Sequence, residues 1–367
     1  MRRALGRLVC VAFAAVSLGA ACGQRAVTLL PGVLNDSGNR SLRRAIFSFA
    51  TSRICEELRA TSVPLRMGDG DPSIGRFFPT GCAVTELGNE NLFVQFIGHG
   101  YAWTNLTGRV GFEAAASIEY DHDFFVEGSS MYVYFRQVRT PSNSFKPLLL
   151  EKSDGGVAAA GLSLLGQDVH AVVEPIGRHV MQGELARGFT VVRDADGAVA
   201  FSLGVLEKGK RPAAPFDQSS ARSLVLANDR TELHTGQRDY AGPFEVPPGS
   251  RALVVTAAVE GASGVDVFVV PRAAGELWES QYERYAQTGP SPFPPAAEDS
   301  IASPGGGASS APGMPIVSAN WRREFPVTPG GYYVVFDHSE TAGRTTPVTV
   351  TGDDRAALVS YAVEVVR

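Results

Sequence analysis

Six histidines, four cysteines and a few acid-rich runs are the residues whose types could do chemistry. The histidines are His99, His122, His170, His179, His234 and His338. None lies in H-E-x-x-H, and no pair has the spacing by which one helix face offers two metal ligands. Asp121-His122-Asp123 is the tightest cluster. Its surroundings alternate with period two, and on a strand the two aspartates point one way and the histidine the other. The three therefore read as solvated groups at a strand bend. Gly68-Asp69-Gly70-Asp71 and Asp194-Ala195-Asp196-Gly197 carry acids as calcium loops do, but neither supplies a glutamate at the twelfth loop position, so both read as turns. No G-x-S-x-G elbow, Walker-type phosphate loop or dinucleotide fingerprint is present. The sequence names no catalytic residue, no metal ligand and no cofactor, and the expectation is a protein that is not an enzyme. A secreted hydrolase with dispersed catalytic groups is the reading kept open beside it, because such groups need not be contiguous.

The cysteines are more informative. Arg2, Arg3 and Arg7 precede an apolar stretch from Leu8 to Leu18, broken by Ser17, and the small residues Gly19, Ala20 and Ala21 lead to Cys22. A charged start, a short apolar core and small residues are the parts of a secretory signal. The core is shorter than the ~20 residues that span a bilayer. Leu18-Gly19-Ala20-Ala21-Cys22 resembles a bacterial lipobox, with Gly19 where that family usually has a branched apolar residue. The resemblance implies a signal peptide over 1–21 and a lipid on Cys22, which anchors the chain to the membrane. Gly23 stands where an aspartate would mark inner-membrane retention, which favours the outer membrane. The alternative is ordinary cleavage beside a bystander cysteine.

Loss of the three leader arginines takes the net charge from −5 to −8. That acidic balance excludes a nucleic-acid partner held by phosphate contacts. Cys55 and Cys82 remain as two thiols of an exported chain, and they are expected to pair as a disulfide.

The elements that would carry these residues follow from periodicity. Residues 22–40 read as a tether, and 41–211 as an α+β domain. Within it, Ser41–Ala60 has helical spacing, with Ile46, Phe49, Ala50, Ile54 and Leu58 on one side. Ile176–Arg187 is a second helix, stopped by Gly188. Leu92–Ile97 is apolar at nearly every position and reads as a strand buried on both faces. Val110 to Glu127 is the longest alternation, with Phe112, Ala114, Ala116, Ile118, Tyr120 and Phe124 on its apolar side. A partner strand follows the Gly128-Ser129-Ser130 turn. A linker is expected over 212–222. Residues 223–367 then read as an all-β sandwich of about seven short strands, with one helical stretch near Gly275–Ala286. Within it, 287–319 holds 24 Gly, Pro, Ser or Ala in 33 residues and reads as a loop.

An amphipathic helix followed by long antiparallel strands is similar to the lipid-binding TULIP families. Pro329-Gly330-Gly331-Tyr332-Tyr333-Val334-Val335-Phe336-Asp337-His338-Ser339 resembles GOLD-type and pre-peptidase C-terminal sandwiches, which implies an adaptor or targeting role. The alanines at 114 and 116 leave room between larger neighbours. The six residues Phe112, Ala114, Ala116, Ile118, Tyr120 and Phe124 are therefore the candidate lining of an apolar ligand cavity. The functional expectation is an outer-membrane lipoprotein binding a lipid-like ligand or an envelope partner, protein or glycan. A purely structural, protein-interaction lipoprotein is its nearest alternative.

Overall fold

The computed structural model describes residues 31–44, 55–56, 58–67, 70–104, 108–151, 174–175, 177–178, 182–183, 186–194, 199–217, 223–262, 264–287, 289–302, 321–345 and 356–366. It is dominated by antiparallel sheet. The first half forms one seven-stranded meander in sequence order: β1 (Val63–Leu65), β2 (Gly75–Glu86), β3 (Leu92–Thr104), β4 (Gly108–Glu127), β5 (Ser130–Leu150), β6 (Phe189–Arg193) and β7 (Val199–Leu203). The β4–β5 hairpin turns at Gly128 with a positive φ, as the Gly-Ser-Ser sequence suggests, whereas β5 and β6 are joined by the long connection 151–188. A short helix, α1 (Pro31–Leu34), lies against one face of this sheet through Leu34.

The second half is a sandwich of two four-stranded sheets. Its strands are β8 (Leu224–Leu233), β9 (Gln237–Val246), β10 (Ala252–Glu260), β11 (Gly264–Pro271), β12 (Ala297–Ala302), β13 (Trp321–Pro326), β14 (Gly330–His338) and β15 (Ala357–Val366). One sheet runs β13-β10-β15-β8 and the other β12-β11-β14-β9. Leu253, Val255, Val267, Val334, Phe336, Val359 and Val363 fill the space between them. Each such side chain contributes about 1.5–3 kcal/mol through removal from water.

A helix, α2 (Arg272–Arg284), follows β11 directly and packs on the outer face of the second sheet. Pro271 precedes it with a φ of −56° that suits a helix start, and Arg284 in the last turn faces the negative end of the helix dipole. Phe78 and Tyr101 of the meander join Tyr240, Phe268, Trp278, Tyr282 and Tyr333 in one apolar cluster with it. The helix is thereby wedged between the two halves.

Several expectations are corrected. Leu92–Ile97 is not buried on both faces: Ile97 is 56% exposed and Gln95 is open, while Leu92 and Val94 are buried. The sandwich covers only part of that side of the sheet, so the far end of β3 faces solvent there. The stretch 287–319 is not all loop, because β12 lies within it and pairs with β11, with Ile301 fully buried. Composition hid that strand, since alanine and serine serve a small edge strand as well as they serve a loop. Residues 303–320 lie outside the described residues. The tether is docked from Pro31 onward: Asn35 exchanges two hydrogen bonds of 2.8 Å with the backbone of Val126. The start of the linker is likewise held, with Phe216 buried against Ala258 and Ala362. Near the bend expected at Asp121, β4 runs on as one strand to Glu127, and its register with β5 shifts at Ser117–Tyr120. Of the two expected helices, 45–54, 57 and half of 176–187 lie outside the described residues; 41–44, 55–56 and 58–60 of the first and 177–178, 182–183 and 186 of the second are helical.

Candidate functional site

Two places gather residues that could act on a ligand, one on each side of the meander. The first is the apolar side of β4. Phe112, Ala114, Ala116, Ile118, Tyr120 and Phe124 are all buried on it, as the alternation requires. They divide into two neighbouring clusters. Phe112 and Ala114 join Phe77, Val110, Phe145 and Leu150, with Phe96 packed alongside. The Phe112 and Phe145 rings stack at 4.9 Å, and Phe77 meets Phe96 edge-on at 5.6 Å. Ala116, Ile118, Tyr120 and Phe124 join Leu34, Leu92, Val94, Val126, Val133 and Phe135. Tyr120 is set edge-on to Phe135 and Phe189, and burial pushes its phenol pKa up. The clusters meet at the two alanines, the smallest side chains that β4 puts on this face.

The N-terminal segment is tied over this side. Cys55 and Cys82 form the expected disulfide, with Cα atoms 5.3 Å apart. Arg43 bonds to Asp123 and to the Phe124 carbonyl, and its guanidinium lies 4.2 Å from the Phe124 ring centroid. Asp123 thus serves an ion pair, whereas Asp121 is exposed. Asp194 is likewise spent on Arg211 and Ser130, which hold its carboxyl below its usual range.

The second place is the seam between meander and sandwich. Arg76 on β2 forks onto Asp239 on β9, with Nε to Oδ1 at 2.5 Å and Nη2 to Oδ2 at 2.8 Å. The Tyr361 hydroxyl accepts from Arg76 at 2.6 Å, and the Tyr101 hydroxyl donates to Asp239 at 2.9 Å. Burial opposes the charge on Arg76, but Asp239 and the two tyrosines outweigh it and raise its pKa. Nearby, Arg109 lies 3.9 Å over the Tyr282 ring and donates to the carbonyls of Tyr285 and Ala286. Trp103 stacks on His234 with ring centroids 3.4 Å apart. A recess of about 10 Å³ between Trp103, Arg109, Arg238 and Tyr282 has room for little more than a water molecule.

At the edge of the seam, His99 on β3 faces Glu279 and Glu283 on α2. His99 Nδ1 lies 2.8 and 2.9 Å from the two Glu283 oxygens and 3.6 Å from Glu279 Oε1. The imidazole is 29% exposed, and the glutamate side chains only 2% and 1%. Burial works against a charged His99, but the carboxylates of Glu279 and Glu283 beside it prevail and raise its pKa to about 10. Burial first, and Glu279 second, push Glu283 up against the pull of His99. The cluster therefore holds on to protons at neutral pH. Close approach positions it, since a β-carbon on Gly111 of β4 would sit 1.8 Å from the Glu283 carbonyl oxygen. Only glycine lets the helix end lie there.

The structure thus brings the six predicted lining residues together and pairs the two predicted cysteines; Cys22 lies outside the described residues. It also assembles the seam residues, none of which stood out by spacing. The one trace of them in the sequence is the i, i+4 pair Glu279 and Glu283 within the predicted helical stretch. His99 is 184 residues from Glu283, so no local pattern joins them. No protein-family model matches the chain, and no curated protein matches its sequence.

Proposed function

We propose that the chain is an exported protein, tethered to a membrane through a lipid on Cys22, whose meander binds an apolar, lipid-like ligand on its β4 face. The observation that carries this reading is the pair Ala114 and Ala116. They form a shallow stretch between two aromatic-walled clusters on one continuous apolar face. A fatty chain fits such a surface because dispersion and burial need no directional partner.

The N-terminal segment supports the same reading. The nine residues from Cys22 to Pro31 reach at most ~30 Å when extended, which keeps the face close to the bilayer. The segment crossing from the membrane is the one whose Leu34 packs on that face. A ligand leaving a lipid surface would have a short path. The sandwich serves in this reading as the rigid support of the meander.

Native mass spectrometry of the full chain, purified gently and followed by solvent extraction, tests it. A lipid near one per chain, lost in Ala116→Phe while the fold is kept, is the expected result. A chain that carries no lipid and takes up no fluorescent fatty acid would transfer the reading to an envelope-partner surface.

A further inference from the structure

The cluster of His99, Glu279 and Glu283 is the strongest chemistry that the apolar face does not use. We infer that these three side chains bind one divalent transition-metal ion of the Zn²⁺ or Mn²⁺ kind, joining the sandwich helix α2 to the meander.

The donors come from two elements and converge. Glu279 and Glu283 stand one helical turn apart on α2, and His99 reaches them from β3. All three ligand atoms lie within 4.8 Å of one another. Ligands at the usual ~2.0–2.2 Å from a metal sit about 3.0–3.5 Å apart in octahedral or tetrahedral arrangements. The observed distances from His99 Nδ1, 2.8 Å to Glu283 and 3.6 Å to Glu279, bracket that spacing.

Glu279 gives the independent sign of a missing ligand. Its side chain is 2% exposed, yet its Oε1, aimed into the cluster, has no hydrogen-bond partner among the described residues. A buried carboxylate oxygen left so is costly unless something fills the place. Charge points the same way. Among the described residues, His99 is the only ion-pair partner of either glutamate. Once the ion displaces the cluster's protons to solvent, two carboxylates and a neutral imidazole balance one divalent cation. The nearby cations are engaged elsewhere: Arg284 and Lys146 pair with Glu113, and Arg109 covers Tyr282.

The donor set selects the ion. One imidazole nitrogen with two carboxylates suits Zn²⁺ or Mn²⁺, whereas Ca²⁺ wants six to eight oxygens. Phe78 stacks beside His99 at 5.7 Å and fixes the ring. Three protein ligands leave a coordination position open on the solvent side, where His99 is exposed.

The test uses the full chain, stripped with EDTA and then titrated with Zn²⁺, Mn²⁺ or Ca²⁺ by calorimetry, with metal content per chain measured after desalting. Expected are about one Zn²⁺ or Mn²⁺ per chain, little Ca²⁺, and a thermal midpoint that rises with the ion. Glu279→Gln preserves shape and removes a buried charge, so it should fold without metal at least as well as the wild type. It should also bind at least 10-fold more weakly and lose the metal-dependent rise. His99→Gln should do the same, and His122→Gln should bind as the wild type does. Wild-type protein that retains no metal would overturn the inference and leave a proton shared by the two glutamates as the account of the cluster. Unchanged binding in Glu279→Gln and His99→Gln would place the ion elsewhere and overturn it equally.

Discussion

Breaking the Arg76–Asp239 pair should loosen the joint between meander and sandwich. Both residues are almost wholly buried, at 3% and 2% exposure, and the pair carries two charge-assisted hydrogen bonds plus two tyrosine hydroxyls. Asp239→Asn keeps the shape but leaves the guanidinium without its counter-charge. A buried charge stranded in this way costs about 3–5 kcal/mol. Arg76→Met should cost a similar amount by stranding Asp239. The double variant removes both charges, so its loss should fall well below the sum, with a coupling energy of roughly 3 kcal/mol or more. The exposed pair Arg272–Glu276 provides the contrast, at ~0.5 kcal/mol or less. Urea unfolding followed by tryptophan fluorescence reads the effect, since Trp103 and Trp278 both lie at the seam. Single variants that lose under ~1 kcal/mol, or strict additivity in the double, would refute the claim that this ion pair locks the halves.

Three other outcomes are expected. Replacing Cys55 and Cys82 by serine frees a loop with a sequence separation of 27 residues, which should lower stability by about 3–4 kcal/mol in the chain-entropy model; equilibrium unfolding of the two forms checks it. Glu119 is held at about 2, below its ordinary 4.5, by hydrogen bonds from Asn89, Asn91 and Arg139. A depressed acid contributes stability above its unfolded pKa that is lost as pH falls through the folded one. Glu119→Gln should therefore be the less stable form at neutral pH, with the two thermal midpoints converging between pH 4.5 and about 2; parallel curves would argue against it. Gly111→Ala would drive a methyl into the Glu283 carbonyl and push α2 off β4, at a cost of about 1–3 kcal/mol or more, visible as loss of near-ultraviolet circular dichroism from the seam aromatics.

Local order was legible wherever a period or a covalent rule expressed it. The alternation from Val110 to Val126 puts one set of side chains on one face whatever lies above them, because the pleat has period two. Cys55 and Cys82 pair because the other two cysteines fall in the leader-like start of the chain. The turn-separated β runs after residue 223 implied a sandwich, although β12 was lost in a composition that a loop shares. What could not be read was which surfaces meet. Leu92–Ile97 looks buried on both faces, and only the limited reach of the sandwich leaves Ile97 in water. Arg76 and Asp239 are 163 residues apart, and His99 and Glu283 are 184 apart. Each of these groups is an ordinary polar residue on its own strand or helix. Whether it is solvated, paired or a ligand depends on what the docking of meander against sandwich removes from water, and neither period encodes that.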